Sequence, residues 1–332
     1  MSANVRANAL RKSPTPAPLL RSATFALCPL QLFLVGYFVE CCIIAARTAS
    51  PVTPEKQLIM NQISDSAKFQ FATKEDAAAF RETISKAGLR YGRPIYWHDA
   101  ARPFPKDVTG ASCFFLRFST TCVGVTAAHV VRKYLDAKTA VSTLVCQLQM
   151  AQFDLEAALI DIDDSQDIAT FSITERTLTD TDTDPFDVSS FWPSKNVVKR
   201  GAAIQLVGYP ENIRIINSSE HSALFQAWGA LGFVEDYTDS DIWLVYNPET
   251  AIGAPVAPPV GYNMSGCSGG PAVIHETRGG LHLWHPVGLI IGGSKEGEGE
   301  MTKFDMIRVR RIDNIETSGC IRRTIGVGWL PP

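Results

Sequence analysis

The sequence predicts an all-β fold of barrel or sandwich type, on three observations. From Gly110 onward the chain breaks into short apolar runs divided by Gly, Pro, Asn, Asp and Thr. Those runs recur at fairly regular spacing, as strands joined by turns do. Helical periodicity is scarce over the same stretch. Taken in order, 113–118 and 122–126 read as a hairpin around Ser119-Thr-Thr121. Strand candidates follow at 143–148, 155–162, 169–173, 203–208, 230–234 and 242–246, then at 272–275, 281–284 and 287–291. Residues 307–315 open as a strand and end in a short C-terminal helix. Ahead of all of these, Thr73-Lys-Glu-Asp76 resembles a capping box opening a helix that stops near Lys86, before Gly88. This N-terminal helix is expected to be an addition to the main domain.

The polar, turn-rich stretch 178–196 separates two strand-rich halves. The expected organisation is therefore a hydrophobic segment and linker (1–65), a helical addition (66–107), a first β-domain (108–190) and a second with the C-terminal tail (191–332). Acids alternate with threonine near residue 180, a pattern that invites a calcium reading. The glycine and closing glutamate of a calcium loop are missing, so a solvated linker is the better reading.

Composition narrows the function classes. At 332 residues, 45% hydrophobic and 20% charged, the chain is long enough for a sizeable core. A formal net charge of −3, with no basic stripe and no interleaved aromatics, gives nucleic acid nothing to bind. Of eight cysteines, Cys28, Cys41 and Cys42 lie in the N-terminal hydrophobic stretch; Cys113, Cys122, Cys146, Cys267 and Cys320 lie beyond it. Their irregular spacing and the absence of any CxxC argue against a zinc site or a disulfide framework and for buried free thiols. No cofactor or metal is expected.

Residues 23–46 are apolar and long enough to span a bilayer, and Arg6, Arg11, Lys12 and Arg21 precede them. Glu40 and Pro29 interrupt the run, at a cost inside a membrane. Three readings stand side by side: a single membrane anchor, a cleaved leader ending near Ala45-Ala46 or Ala49-Ser50, and an extension ahead of a true start at Met60. The first two imply a membrane-anchored or exported protein, the third a cytoplasmic one.

The chemistry centres on Gly266-Cys267-Ser268-Gly269-Gly270-Pro271. An attacking hydroxyl must stand clear of its own backbone. Glycines permit the necessary φ/ψ values and remove side chains that would block a substrate. The N–H groups of Gly266 and Ser268 are then placed to hold an oxyanion. A glycine-rich hairpin without chemistry is the bland alternative. Upstream, Thr126-Ala-Ala-His129 puts a histidine just past an apolar strand, ahead of a stretch able to turn helical. Asp167 stands at the mouth of another apolar run, with Asp161, Asp163 and Asp164 as competitors. Each signal is weak alone; in the order His, Asp, Ser they describe an acyl-transfer triad.

Thr126-Ala-Ala-His129, Asp167-Ile-Ala169 and Gly266–Pro271 resemble the three motif blocks of the trypsin/chymotrypsin-like serine peptidases. Gly201 through Pro210 resembles the strand opening that family's second barrel, and the likeness covers roughly residues 105–320, closer to bacterial members than to disulfide-rich animal ones. It implies two six-stranded antiparallel β-barrels with the site between them. It implies a serine endopeptidase acting on polypeptides: His129 as general base, Asp167 orienting its imidazole, Ser268 as nucleophile, and Gly266 and Ser268 as the oxyanion hole. Cys267 stands where digestive members carry an acid that binds a new N-terminus, so a site preformed or ordered by another contact is expected. Val130 replaces the cysteine that follows the histidine in animal enzymes. Ile291 falls where many members have a serine reaching toward the aspartate, which leaves Asp167 without that contact. The resemblance also places the substrate pocket at Tyr262 and Asn263 before the nucleophile, and at Ile291, Gly292 and Gly293 on the facing strand. With no Asp in the first segment, a small or medium apolar side chain is expected there. Two alternatives remain: a catalytically inactive module of this fold that binds peptides or protein partners, and a cysteine peptidase using Cys267.

Overall fold

The computed structural model describes residues 89–103, 107–193, 198–217, 219, 222–246, 264–278, 281–293 and 305–323. By internal contacts the chain divides into 1–32 and 33–332, and all described residues belong to the latter. The hydrophobic stretch 23–46, the capping-box helix, Tyr262, Asn263 and the acidic run 294–300 lie outside the described residues. Among those described, no helix is long and apolar enough to cross a membrane.

The first half contains β1 (Gly92–Asp99), β2 (Thr109–Phe118), β3 (Thr121–Thr126), α1 (Ala128–Ala140), β4 (Leu144–Leu148), β5 (Ala151–Gln152), α2 (Leu155–Ala158), β6 (Leu159–Asp163), β7 (Ile168–Ser172), α3 (Glu175–Asp180) and β8 (Phe186–Asp187). Its sheet runs β5-β4-β1-β2-β3-β7-β6, with β8 added in parallel to β2. In the second half come β9 (Ala203–Gly208), a 3₁₀ turn (Glu211–Ile213), the β10 (Ile215–Asn217) and β11 (Ser222–Leu224) ribbon, β12 (Trp228–Tyr237), β13 (Asp241–Tyr246), β14 (Pro271–Arg278), β15 (Leu281–Gly293) and β16 (Asp305–Arg311). Here β12-β13-β16-β15-β14-β9 closes into a six-stranded barrel. The architecture is all-β, as the sequence predicts, with one closed six-stranded antiparallel barrel among the described residues. In the first half, however, the hydrogen-bonded ladder contains eight strands and runs open from β5 to β6.

Several elements depart from the sequence reading. Residues 92–99, expected within a helical addition, form β1 between β2 and β4. The run 155–162 is not one strand, because Asp154 accepts a hydrogen bond from the Ala157 N–H and caps α2 before β6 begins. Residues 178–184 are not a solvated linker. Thr174 caps α3, Thr181 and Thr183 are buried, and the buried Arg93 donates to the carbonyls of Thr181 and Asp182. The strands expected at 281–284 and 287–291 are one, β15, with irregular register opposite Ala272 and Val273. After β16 the chain makes turns and an isolated Ile315–Ile321 bridge, with no helix among the described residues.

Strand β2 shows why the first core forms. Alternate residues of a strand face opposite sides, and both sides of β2 are covered. Phe114 meets Phe186 edge-on, and Phe115 meets Phe171 likewise. A second core fills the closed barrel around Ile204, Leu206, Trp228, Leu244, Ile290 and Val309. The first core also takes in Val273 and Leu289 from the barrel, and Ile312, Ile315 and Ile321 from the segment after β16. Burial of each of these isoleucines contributes about 1.5–3 kcal/mol, so the chain's last described residues are anchored on its first half.

Candidate active site

Helix α1 begins two residues past the β3 strand end. Ala128, Val131 and Tyr134 are buried on one face, three residues apart, which sets the helix against the core. His129 is on the first turn, its side chain about half exposed (48%). Ala127, the N-cap, offers no side-chain oxygen. Asp167 does that work from a distance: its Oδ1 accepts the His129 N–H at 2.9 Å, one of the donors a helix start leaves unpaired. The same carboxylate receives His129 Nδ1 at 2.8 Å (Oδ2) and 3.0 Å (Oδ1). Both oxygens therefore engage one ring nitrogen, leaving Nε2 for other chemistry. Asp167 holds this position with φ +52°, in the left-handed region that Asp tolerates better than most residues. Of the four competing acids, only Asp167 reaches His129; Asp164 instead pairs with Arg132, and Asp161 and Asp163 with Arg323.

The turn Gly266–Pro271 is fixed by contacts the sequence did not announce. Gly266 (φ +89°) and Gly269 (φ +85°) take conformations that other residues rarely adopt. A Cβ on Gly269 would lie 2.2 Å from both the Ser112 carbonyl and Thr126 Oγ1. The turn is thereby pressed onto the strand end that leads into His129. Ser112, fully buried, donates through Oγ to the Gly266 carbonyl (2.7 Å) and through N–H to the Ser268 carbonyl (2.9 Å). On the other side, the Glu211 N–H donates to the Ser265 carbonyl (3.0 Å) and its Oε2 accepts the Ser265 hydroxyl (2.8 Å). Ser112 lies in an apolar strand and Glu211 follows a Tyr-Pro turn; neither position carries a chemical motif. Together they hold the turn from two sides.

Within the turn, Cys267, Gly269 and Gly270 donate their N–H groups to Met264, Ile290 and Cys267 carbonyls. Among the described residues, no acceptor takes the N–H of Gly266 or Ser268. Those are the two donors expected to hold an oxyanion. Ser268 is partly exposed, whereas Cys267 is fully buried in the barrel core, its sulfur against Gly208. Burial pushes that thiol's pKa far up and so disfavours the thiolate. Among the described residues, no hydrogen bond joins Ser268 to His129, whose ring is bonded through Nδ1 to Asp167.

A cleft of about 800 Å³ is lined by His129, Asp167, Ile291, Gly292, Gly293 and Arg308, among others; Ser268 is not one of its lining residues. A Cβ at Gly292 would meet nothing within 4 Å, so the cleft is open there. Ile291, Gly292 and Gly293, the described residues of the expected pocket, line the same cleft as His129. Arg308 and Arg310 approach from β16 and both pair with the buried Asp241, which offsets only one of their two positive charges. No group of three or more His, Cys, Asp or Glu side chains able to hold a metal occurs among the described residues.

Replacing Gly269 by alanine should cost roughly 2 kcal/mol or more, through the positive φ and the two contacts just described. Thermal unfolding should show a midpoint lowered by several degrees, about 2–4 °C per kcal/mol for a domain of this size. An unchanged midpoint would mean that the turn is not pinned as described.

Asp163 gives a separate, pH-dependent test. Burial raises its pKa, but hydrogen bonds from Ser165 and Gln166 and the Arg323 guanidinium outweigh burial and hold it far below the ordinary carboxylate range. A carboxyl depressed in the folded state stabilises above its unfolded value of roughly 4, and that stability is lost as pH falls toward the folded value. The unfolding midpoint should fall between pH 6 and pH 3, and Asp163→Asn should be less stable at pH 6 and show a shallower fall.

No protein-family model and no curated protein matches the chain. Among solved structures, it is similar to an HtrA-type protease determined with a decapeptide, at 11% identity and a TM-score of 0.34. The match covers 70% of this chain and 63% of that one, and so spans less than two thirds of the neighbour. At that distance nothing about residues or chemistry transfers.

Proposed function

We propose that the chain is a serine endopeptidase that hydrolyses polypeptide backbones through an acyl-enzyme. The observation that carries the reading is the Asp167 carboxylate closed on His129 Nδ1, at a cleft wall, with the Gly266–Gly270 turn pressed onto the strand end before His129. Ser268 Oγ attacks the peptide carbonyl while its proton passes to His129 Nε2. Asp167 stabilises the imidazolium and keeps the tautomer with the proton on Nδ1. The N–H groups of Gly266 and Ser268 receive the oxyanion; each such donor is typically worth about 3–4 kcal/mol in the transition state. Collapse of the tetrahedral intermediate breaks the C–N bond, and His129 returns the proton to the leaving amine. Water then attacks the ester with His129 again as base, restoring Ser268 and releasing the acid.

A fluorophosphonate probe tests this directly. The purified protein should be labelled stoichiometrically, and peptide mapping should place the adduct on Ser268. Failure to label a folded protein that still binds peptides would favour the inactive-module reading, and an adduct on Cys267 would revive the thiol.

A further inference from the structure

We propose that the C-terminal strap, residues 312–323, is a positioning element for Asp167 and acts through Gln166. This rests on the peptidase reading above and assigns its orienting acid a support of its own. Asp167 ends the tight turn between β6 and β7 in a left-handed conformation. Such a conformation persists only where the surroundings over-determine it. The surroundings here come from the far end of the chain.

Gln166, immediately before Asp167, is buried and uses both ends of its amide. Its Nε2 donates to Asp163 Oδ2 (2.8 Å) and to the Arg322 carbonyl (3.0 Å), and its Oε1 accepts from Asn314 Nδ2. Asp163 in turn gathers the N–H groups of Ser165 (2.9 Å) and Gln166 (3.0 Å), the Ser165 hydroxyl (2.6 Å) and the Arg323 guanidinium (2.9 Å). Arg323 also reaches Asp161 Oδ1 (2.6 Å) and the Ile162 carbonyl (2.9 Å). The Ile321 N–H donates to Asp161 Oδ2 (2.9 Å), and Thr170 Oγ1 donates to the Gly319 carbonyl (2.6 Å). The strap thus holds Gln166 within the turn that presents Asp167, and β6 and β7 on either side of it.

The strap itself is closed. Ile315 bridges Ile321, the Arg322 N–H donates to the Asn314 carbonyl (2.9 Å), and Trp192 Nε1 donates to the Ile315 carbonyl (2.8 Å). Ile312, Ile315 and Ile321 seat it in the first core. Because the strap continues directly from β16, which carries Arg308 and Arg310 into the cleft, it physically joins the barrel side of the cleft to the turn holding the acid.

The test uses the full chain carrying Gln166→Ala, Arg323→Ala, Arg323→Lys and Glu316→Ala. Glu316 is on the strap, but among the described residues its side chain pairs only with Arg322 of the same strap. The first readout is the NMR signal of the His129 Nδ1–H proton bonded to Asp167, assigned by its loss in His129→Ala. The second is kcat and KM on a cleaved peptide, taken well below each variant's unfolding midpoint. Gln166→Ala and Arg323→Ala should broaden or lose the Nδ1–H signal and lower kcat about 10- to 100-fold with KM nearly unchanged. Arg323→Lys should recover much of both, and Glu316→Ala should match the wild type. Variants that melt earlier yet keep the signal and kcat overturn the proposal, because the strap would then serve only stability. If the wild type shows no turnover, the peptidase reading fails, while the proton signal still decides whether the strap positions Asp167.

Discussion

Ser268→Ala is expected to lower kcat by about 10⁶-fold while leaving the fold intact, the largest effect any single substitution in this chain should produce. The backbone contacts of residue 268, including its carbonyl's bond from the Ser112 N–H, do not depend on the side chain. The turn and its two unengaged N–H groups therefore survive the change. What remains should be the contribution of binding and oxyanion stabilisation, roughly 10³–10⁴ above the uncatalysed rate. His129→Ala should cost about as much, and the double variant little more, because nucleophile and base act as one unit. Cys267→Ala is the informative contrast. Its sulfur fills space in the barrel core against Gly208, so its loss should lower the unfolding midpoint and spare turnover. Initial rates on a cleaved peptide, with thermal unfolding on the same samples, separate these cases. Turnover that survives in Ser268→Ala and vanishes in Cys267→Ala would reverse the assignment.

How much of this was legible beforehand follows from what each residue type can announce. The glycines of the nucleophile turn were visible because positive φ is a demand few residues meet, and two of them do adopt it. His129 and Asp167 were visible only jointly, through their order and through apolar runs that became β3 and β7. Strand β1 was hidden because Pro94, which cannot donate to a ladder, and the polar Arg93 and His98 disguise its apolar face. Residues 155–162 misled because a short apolar run reads equally as helix or strand, and a local cap at Asp154 decided it. Ser112 and Gln166 left no trace at all. Their roles arise from partners 154 and 156 positions away, at Gly266 and Arg322. Local pattern carries no record of such pairings.

Asp167→Asn should separate the two tasks that this one carboxylate performs. The amide oxygen can still accept the His129 N–H and complete the start of α1, so stability should change little. The amide nitrogen, however, donates where the carboxylate accepted. It would stabilise the tautomer bearing its proton on Nε2, which cannot take the proton of Ser268. A loss of about 10⁴-fold in kcat is expected, with the geometry preserved. Asp167→Ala removes both tasks: a rate loss of similar size should come with a further destabilisation of about 1 kcal/mol, as for other lost helix caps. Steady-state kinetics and thermal unfolding of the two variants separate the two tasks. The rates should fall together while the midpoints part. If Asp167→Asn turned over substrate like the wild type, the carboxylate would be no more than a distant helix cap. The contacts at 2.8 and 3.0 Å to Nδ1 would then have to be explained without catalysis.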